Sequence, residues 1–148
     1  MNLMKNVSVR EVMAPVALAD DTDQNSDRID MSGFDGVLFV APITDSAATG
    51  VATLTVEQNT ADSDTGMAAL AGATATATCV VDDDLNNELL IVDVFRPRKR
   101  YVQGVVTSAT ANIAFGNMLA ILYQGRKLPI AEHASVLASA VVAGPAES

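Results

Sequence analysis

Four positive charges fall within five residues at Arg96-Pro97-Arg98-Lys99-Arg100, and a second short basic stretch, Arg126-Lys127, lies further along. Guanidinium forks bind carboxylates through paired hydrogen bonds, so the chemistry offered here is recognition of an acidic surface. Pro97 fixes its own φ and lacks a backbone donor, which stiffens the corner and aims the charges outward. Charges so close together repel and call for a compensating surface, on a partner or on a neighbouring copy. The plainer reading is a solvated hairpin corner that serves solubility.

The other chemistry-bearing residues fall short of a constellation. Asp21-Thr22-Asp23-Gln24-Asn25-Ser26-Asp27 spaces oxygens as a calcium loop does, but Ser26 stands where that loop needs glycine. Ser32, in the loop's closing position, cannot replace a bidentate glutamate. Asp82-Asp83-Asp84 has the charge without the scaffold. His133 is the only histidine and Cys79 the only cysteine, so one chain cannot assemble a histidine metal cluster or a Ser-His-Asp arrangement. Cys79 reads as a small buried hydrophobe and His133 as a surface residue. Carboxylate pairs of the glycosidase kind exist in number, but tryptophan platforms for a sugar do not. Gly33, Gly36, Gly50 and Gly66 make no phosphate loop, because no strong helix with a lysine follows any of them. The expectation is a protein that is not an enzyme and uses no cofactor or metal.

The elements that must position the basic residues read as strands. Arg28-Ile29-Asp30-Met31 alternates, Ser32 to Gly36 breaks the chain, and Val37-Leu38-Phe39-Val40-Ala41 is an apolar run suited to a strand covered on both faces, limited by Pro42. Ala52-Thr53-Leu54-Thr55-Val56-Glu57 and Ala73-Thr74-Ala75-Thr76-Ala77-Thr78-Cys79 alternate with period two, as strands with one wet face do. Met67 to Leu70 reads as one short helical turn between them. Leu89 to Phe95, Tyr101 to Thr107 and Asn112 to Tyr123 complete the set, the last bent or bulged at Gly116. Closely spaced strands joined by Gly, Asp and Asn turns describe an all-β fold, a jelly-roll-like β-sandwich. Residues 1–26 read as an extended N-terminal arm, 27–130 as the sandwich and 131–148 as a low-charge C-terminal tail. The arm's Val7, Val9, Val12 and Met13 are candidate apolar contacts.

Composition narrows the classes. The chain has 148 residues, 49% hydrophobic and 18% charged, with a net charge of −9. That length suits a single domain able to bury roughly 70% of its unfolded surface. Residues 1–95 carry 16 acidic and 3 basic side chains, and residues 96–148 carry 2 and 6. Such polarity orients a molecule against a partner. The acidic balance argues against nucleic acid or an anionic membrane as that partner. The N-terminus has no apolar h-region, and the longest apolar run, Ala134 to Ala143 interrupted by Ser135 and Ser139, is about half of a bilayer span.

The layout resembles small head proteins of tailed bacteriophages over roughly residues 27–130. In that family a strand enters through hydrophobic-Asp-hydrophobic-x-Gly-Tyr/Phe-Asp, here Ile29-Asp30-Met31-Ser32-Gly33-Phe34-Asp35. A late Lys/Arg-Arg-Tyr-Val strand, here Lys99-Arg100-Tyr101-Val102, precedes a bent strand through Asn112-Ile113-Ala114 and an exit like Leu128-Pro129. The resemblance implies a capsid decoration, or cement, protein. Such a protein is made in the host cytoplasm, lies on the capsid exterior against the major capsid protein, works as a dimer or trimer and catalyses nothing. The basic residues Arg96, Arg98, Lys99 and Arg100, supported by Arg126 and Lys127, are then the expected contacts, with the arm reaching across the capsid surface. The rivals are a virion surface module recognising host or carbohydrate, for which Phe34, Tyr101 and Tyr123 are the candidate aromatics, a head-completion or tail component, and a small sandwich hydrolase.

Overall fold

Period-two alternation becomes antiparallel sheet in the computed structural model, which describes residues 2–144 and 146–147. Met1 of the expected arm, and Pro145 and Ser148 of the expected tail, lie outside them. After a 3-10 turn at Leu3–Lys5 the strands are β1 Val7–Met13, β2 Val16–Ala19, β3 Asp23–Asn25, β4 Ile29–Asp30, β5 Phe34–Ser46, β6 Val51–Asn59, β7 Ala68–Thr78, β8 Leu89–Phe95, β9 Tyr101–Ala109, β10 Ile113–Phe115 and β11 Met118–Gly125. One sheet is ordered β1-β11-β5-β10-β2, with β8 on the other side of β5. The second is ordered β3-β9-β6-β7, with β4 also on β9.

β1 and β2 lie end to end along β11 and β10, and β3 and β4 lie end to end along β9. Among the described residues the strands therefore form eight ribbons. The first sheet orders them first, eighth, third, sixth, and the second sheet second, seventh, fourth, fifth. The two sheets pack face to face as an all-β sandwich. Between them lie Val37, Phe39, Ala41 and Ile43 of β5, Leu54 and Val56 of β6, Val102 and Val106 of β9, and Phe115, Met118 and Leu122 of the last ribbon. Burying each large side chain contributes about 1.5–3 kcal/mol. On the outer face of the second sheet, Thr53 pairs with Thr76 (3.2 Å) and Thr55 with Thr74 (3.3 Å), while Ala73, Ala75 and Ala77 turn inward against the core.

The structure corrects four expectations. The segment read as an arm is integral to the fold: β1 and β2 complete the first sheet and β3 joins the second, so the sandwich begins at Val7 instead of residue 27. Ser8, Arg10 and Glu11 blur the period of β1, and a register shift between Glu11 and Met13 turns both Val12 and Met13 inward. Those two side chains are core residues and offer nothing to a partner. Pro42 does not end its strand, because β5 exchanges partners there, from β11 through Val40 to β10 from Ile43. A missing donor is harmless at that exchange, where Gly116 N–H donates to Pro42 O (2.9 Å). Met67 to Leu70 is not helical, since Ala68 and Ala69 pair with Gln58 and Glu57, and a bulge through Gly72 (φ 77°) opposite Val56 lets β7 continue. The expected break at Gly116 separates β10 from β11. The tail runs beside β1, tied by Ile130 N–H to Lys5 O (2.9 Å) and by Glu11 N–H to Ser135 Oγ (3.2 Å).

Candidate functional site

The basic corner is not a hairpin. β8 belongs to the first sheet and β9 to the second, so Arg96 to Arg100 crosses between the sheets at one end of the sandwich. Phe95 sits opposite Gly36, and Gly125 opposite Phe34, so the last ribbon ends beside the corner and carries Arg126 and Lys127 there. Arg96, Lys99, Arg100 and Arg126 line a depression of about 570 Å³ with Phe34 and Asp35. Residues thirty apart in sequence thus form one basic end.

The backbone of the corner is held in place. Arg96 has φ 54°, a left-handed conformation that costs an arginine about 1–2 kcal/mol. Its N–H donates to Asp35 O (2.6 Å), and the N–H groups of Arg98 and Lys99 both donate to Gln58 Oε1 (3.1 and 3.2 Å). The charges divide into two groups. Arg100 forks onto Asp30, Nε to Oδ1 at 2.9 Å and Nη2 to Oδ2 at 2.8 Å, and the Ser32 N–H also donates to Asp30. The Arg100 fork first, then the Ser32 bond, hold the Asp30 carboxyl well below the usual carboxylate range. Arg126 lies 3.5 Å from Asp35. Arg96, Arg98, Lys99 and Lys127 have no ion-pair partner among the described residues. Arg96 rests over the Phe95 ring, 5.1 Å from its centroid.

Adjoining the corner is a surface whose apolar character the sequence reading did not single out. The outer face of the first sheet presents Val7 and Val9 of β1, Leu119, Ile121 and Tyr123 of β11, Leu38, Val40 and Pro42 of β5, and Leu89, Ile91 and Phe95 of β8. Leu89, Ile91 and Phe95 are 56%, 47% and 53% exposed. Val7 and Val9 thus remain surface candidates, on a sheet and not on an arm. Tyr123 lies across Gly36, where a β-carbon would collide with its ring. It stacks on Phe95 (centroids 6.5 Å, planes 7° apart) and donates its hydroxyl to Asp93 (2.5 Å). Of Phe34, Tyr101 and Tyr123, Tyr123 joins this platform, and its partner ring is Phe95. The signal for the face was present in the unbroken apolar runs of β5 and β8, which ordinarily mark strands buried on both sides.

The opposite end of the same sheet is acidic. Glu88 precedes β8, Asp45 lies near the end of β5, Asp20 follows β2, and Asp82, Asp83 and Asp84 occupy the loop before β8. Asp82 accepts the Ala48 N–H (2.7 Å), and Asp84 accepts those of Val80 and Val81 (3.0 and 2.8 Å). Asp23 and Asn25, part of the calcium-like spacing, pair with β9 as a strand. Among the described residues no three His, Cys, Asp or Glu side chains converge as metal ligands would, and no helix is long and apolar enough to cross a membrane. No protein-family model matches the chain, and no curated protein matches it.

Proposed function

We propose that this protein is a capsid decoration protein that binds the exterior of a major capsid protein lattice and stabilises the head. The observation that carries the reading is the rigid basic end: Arg96, Arg98, Lys99 and Lys127 have no carboxylate partner among the described residues, while residues 1–95 carry 16 acidic against 3 basic side chains. An acidic capsid surface supplies the missing counter-charges, and many copies add weak contacts by multivalency. The resemblance of Ile29 to Asp35 and Lys99 to Val102 to phage head proteins supports the same assignment. So does the ribbon order, first-eighth-third-sixth over second-seventh-fourth-fifth, which we read as the two Greek keys of a jelly roll.

The test is co-sedimentation with undecorated phage heads. Arg100 is committed to Asp30 and Arg96 also borders the outer sheet face, so the informative variant is Arg98→Ser/Lys99→Ser. It is expected to fold normally and to lose occupancy at least about tenfold, the effect of about 1.4 kcal/mol. Unchanged saturable occupancy would remove the corner from docking, and failure of the unaltered protein to bind any head would end the decoration reading. A second reading, a virion surface module for carbohydrate, is favoured by the Phe95–Tyr123 platform. Binding on glycan arrays that Phe95→Ala abolishes would select it.

A further inference from the structure

We propose that the outer face of the first sheet docks on the same face of a second copy of this chain, face to face, with the strands of the two copies running in opposite directions.

The first observation is a conflict between sequence and cover. Val37 to Ala41 and Leu89 to Val92 are apolar at every position, the pattern of strands buried on both sides. Their inner halves are fully covered and their outer halves less so: Val37, Phe39 and Ala41 are fully buried, Leu38 and Val40 are half-buried, and Ile91 and Leu89 are about half exposed. The second sheet provides a control within the same molecule. Its outer face carries Thr53, Thr55, Thr74 and Thr76, as a face that meets water should. Four ribbons spaced about 4.8 Å apart and about six residues of about 3.3 Å each make the apolar face roughly 300–400 Å² in plan. A contiguous patch of that size matches the largest on a typical monomer, which is often functional. Within it Asp93 is the one carboxylate away from the rim, and it is engaged by the Tyr123 hydroxyl.

Charge selects the occupant. Along the strands the face is basic at one end, with Lys5, Arg96 and Lys127, and acidic at the other, with Glu11 and Glu88. A two-fold axis lying in the interface and crossing the strands reverses strand direction while laying each ribbon over its own copy. β8 then lies over β8 and β1 over β1; with the axis level with Leu38 of β5, Glu88 comes within about two residues of the position facing Arg96, and Glu11 within about two residues of that facing Lys5, inside the reach of these long side chains. A surface with opposite charges at its two ends is complementary to itself under that operation, which an isologous interface requires. The dimer engages Arg96 and leaves Arg98 and Lys99 for a capsid, so it stands whether or not a capsid binds.

Sedimentation velocity of the isolated chain tests it. The mass is expected to double between about 1 µM and about 100 µM, the range of a small interface. Ile91→Glu, a substitution at an exposed position, is expected to weaken the dimer at least about tenfold with unchanged circular dichroism and melting temperature. The orientation is tested by Lys5→Glu/Arg96→Glu and Glu11→Lys/Glu88→Lys: each alone is expected to dissociate, and their equimolar mixture to recover dimers. A chain that stays monomeric throughout, or a dimer indifferent to Ile91→Glu, overturns the proposal. A mixture that fails to recover overturns the two-fold arrangement. A monomer whose Ile91→Glu variant loses head binding gives the face to the capsid instead.

Discussion

Tyr123 crosses Gly36 because no side chain occupies that position, and the crossing carries its hydroxyl from the last ribbon over the third to Asp93 on the sixth. Desolvation, and then the bond to Asp93, push the Tyr123 phenol up to about 12. An unfolded tyrosine titrates near pH 10, so the native state holds this proton more tightly. The resulting stability is fully present below about pH 10 and is lost as pH rises towards 12. A tyrosinate absorbance titration is expected to contain one step near pH 12 that Tyr123→Phe removes, and the variant's stability is expected to decline less steeply over that window. The arginines show how far single residues were legible. Their charge and their stiff corner could be read from Arg96 to Arg100, but the commitment of Arg100 to Asp30 could not, because that contact depends on β4 lying against β9.

At the scale of elements, side chains of the first sheet press directly on β9 at Gly104, which has no side chain of its own. A β-carbon at Gly104 would sit 2.7 Å from Met118 Sδ and 3.1 Å from Phe39 Cδ1. Gly104→Val is expected to destabilise the fold by about 1–3 kcal/mol or more through overpacking, read as a lower denaturation midpoint. The alternating strands β6 and β7 were legible because one wet face imposes polar residues at every second position. β1 and β2 were not, since a bulge and flanking charges disguise strands whose partners lie at the far end of the chain. Pro42 misled for a related reason: its cost depends on which neighbour a strand has at that point, and only the assembled sheet sets that.

The whole molecule is a sandwich with two unlike outer faces and two unlike ends. The sequence told the composition of those surfaces but not their placement, since Arg126 reaches Arg96 only through the pairing of β11 and β8 on either side of β5. Removing residues 2–13 separates the expected arm from the observed strand. A dispensable arm would leave a stable, soluble core, whereas loss of β1 is expected to bare β11 as an unpaired edge and to yield aggregated or unfolded protein in a solubility and circular dichroism assay. The same pairing bears on synthesis. Val7 finds its place only beside Tyr123, so a nascent chain leaving the ribosome carries its first ribbon unpaired until the last ribbon has also emerged. Closure must then be late and, with contacts this distant in sequence, slow, on the order of milliseconds to seconds.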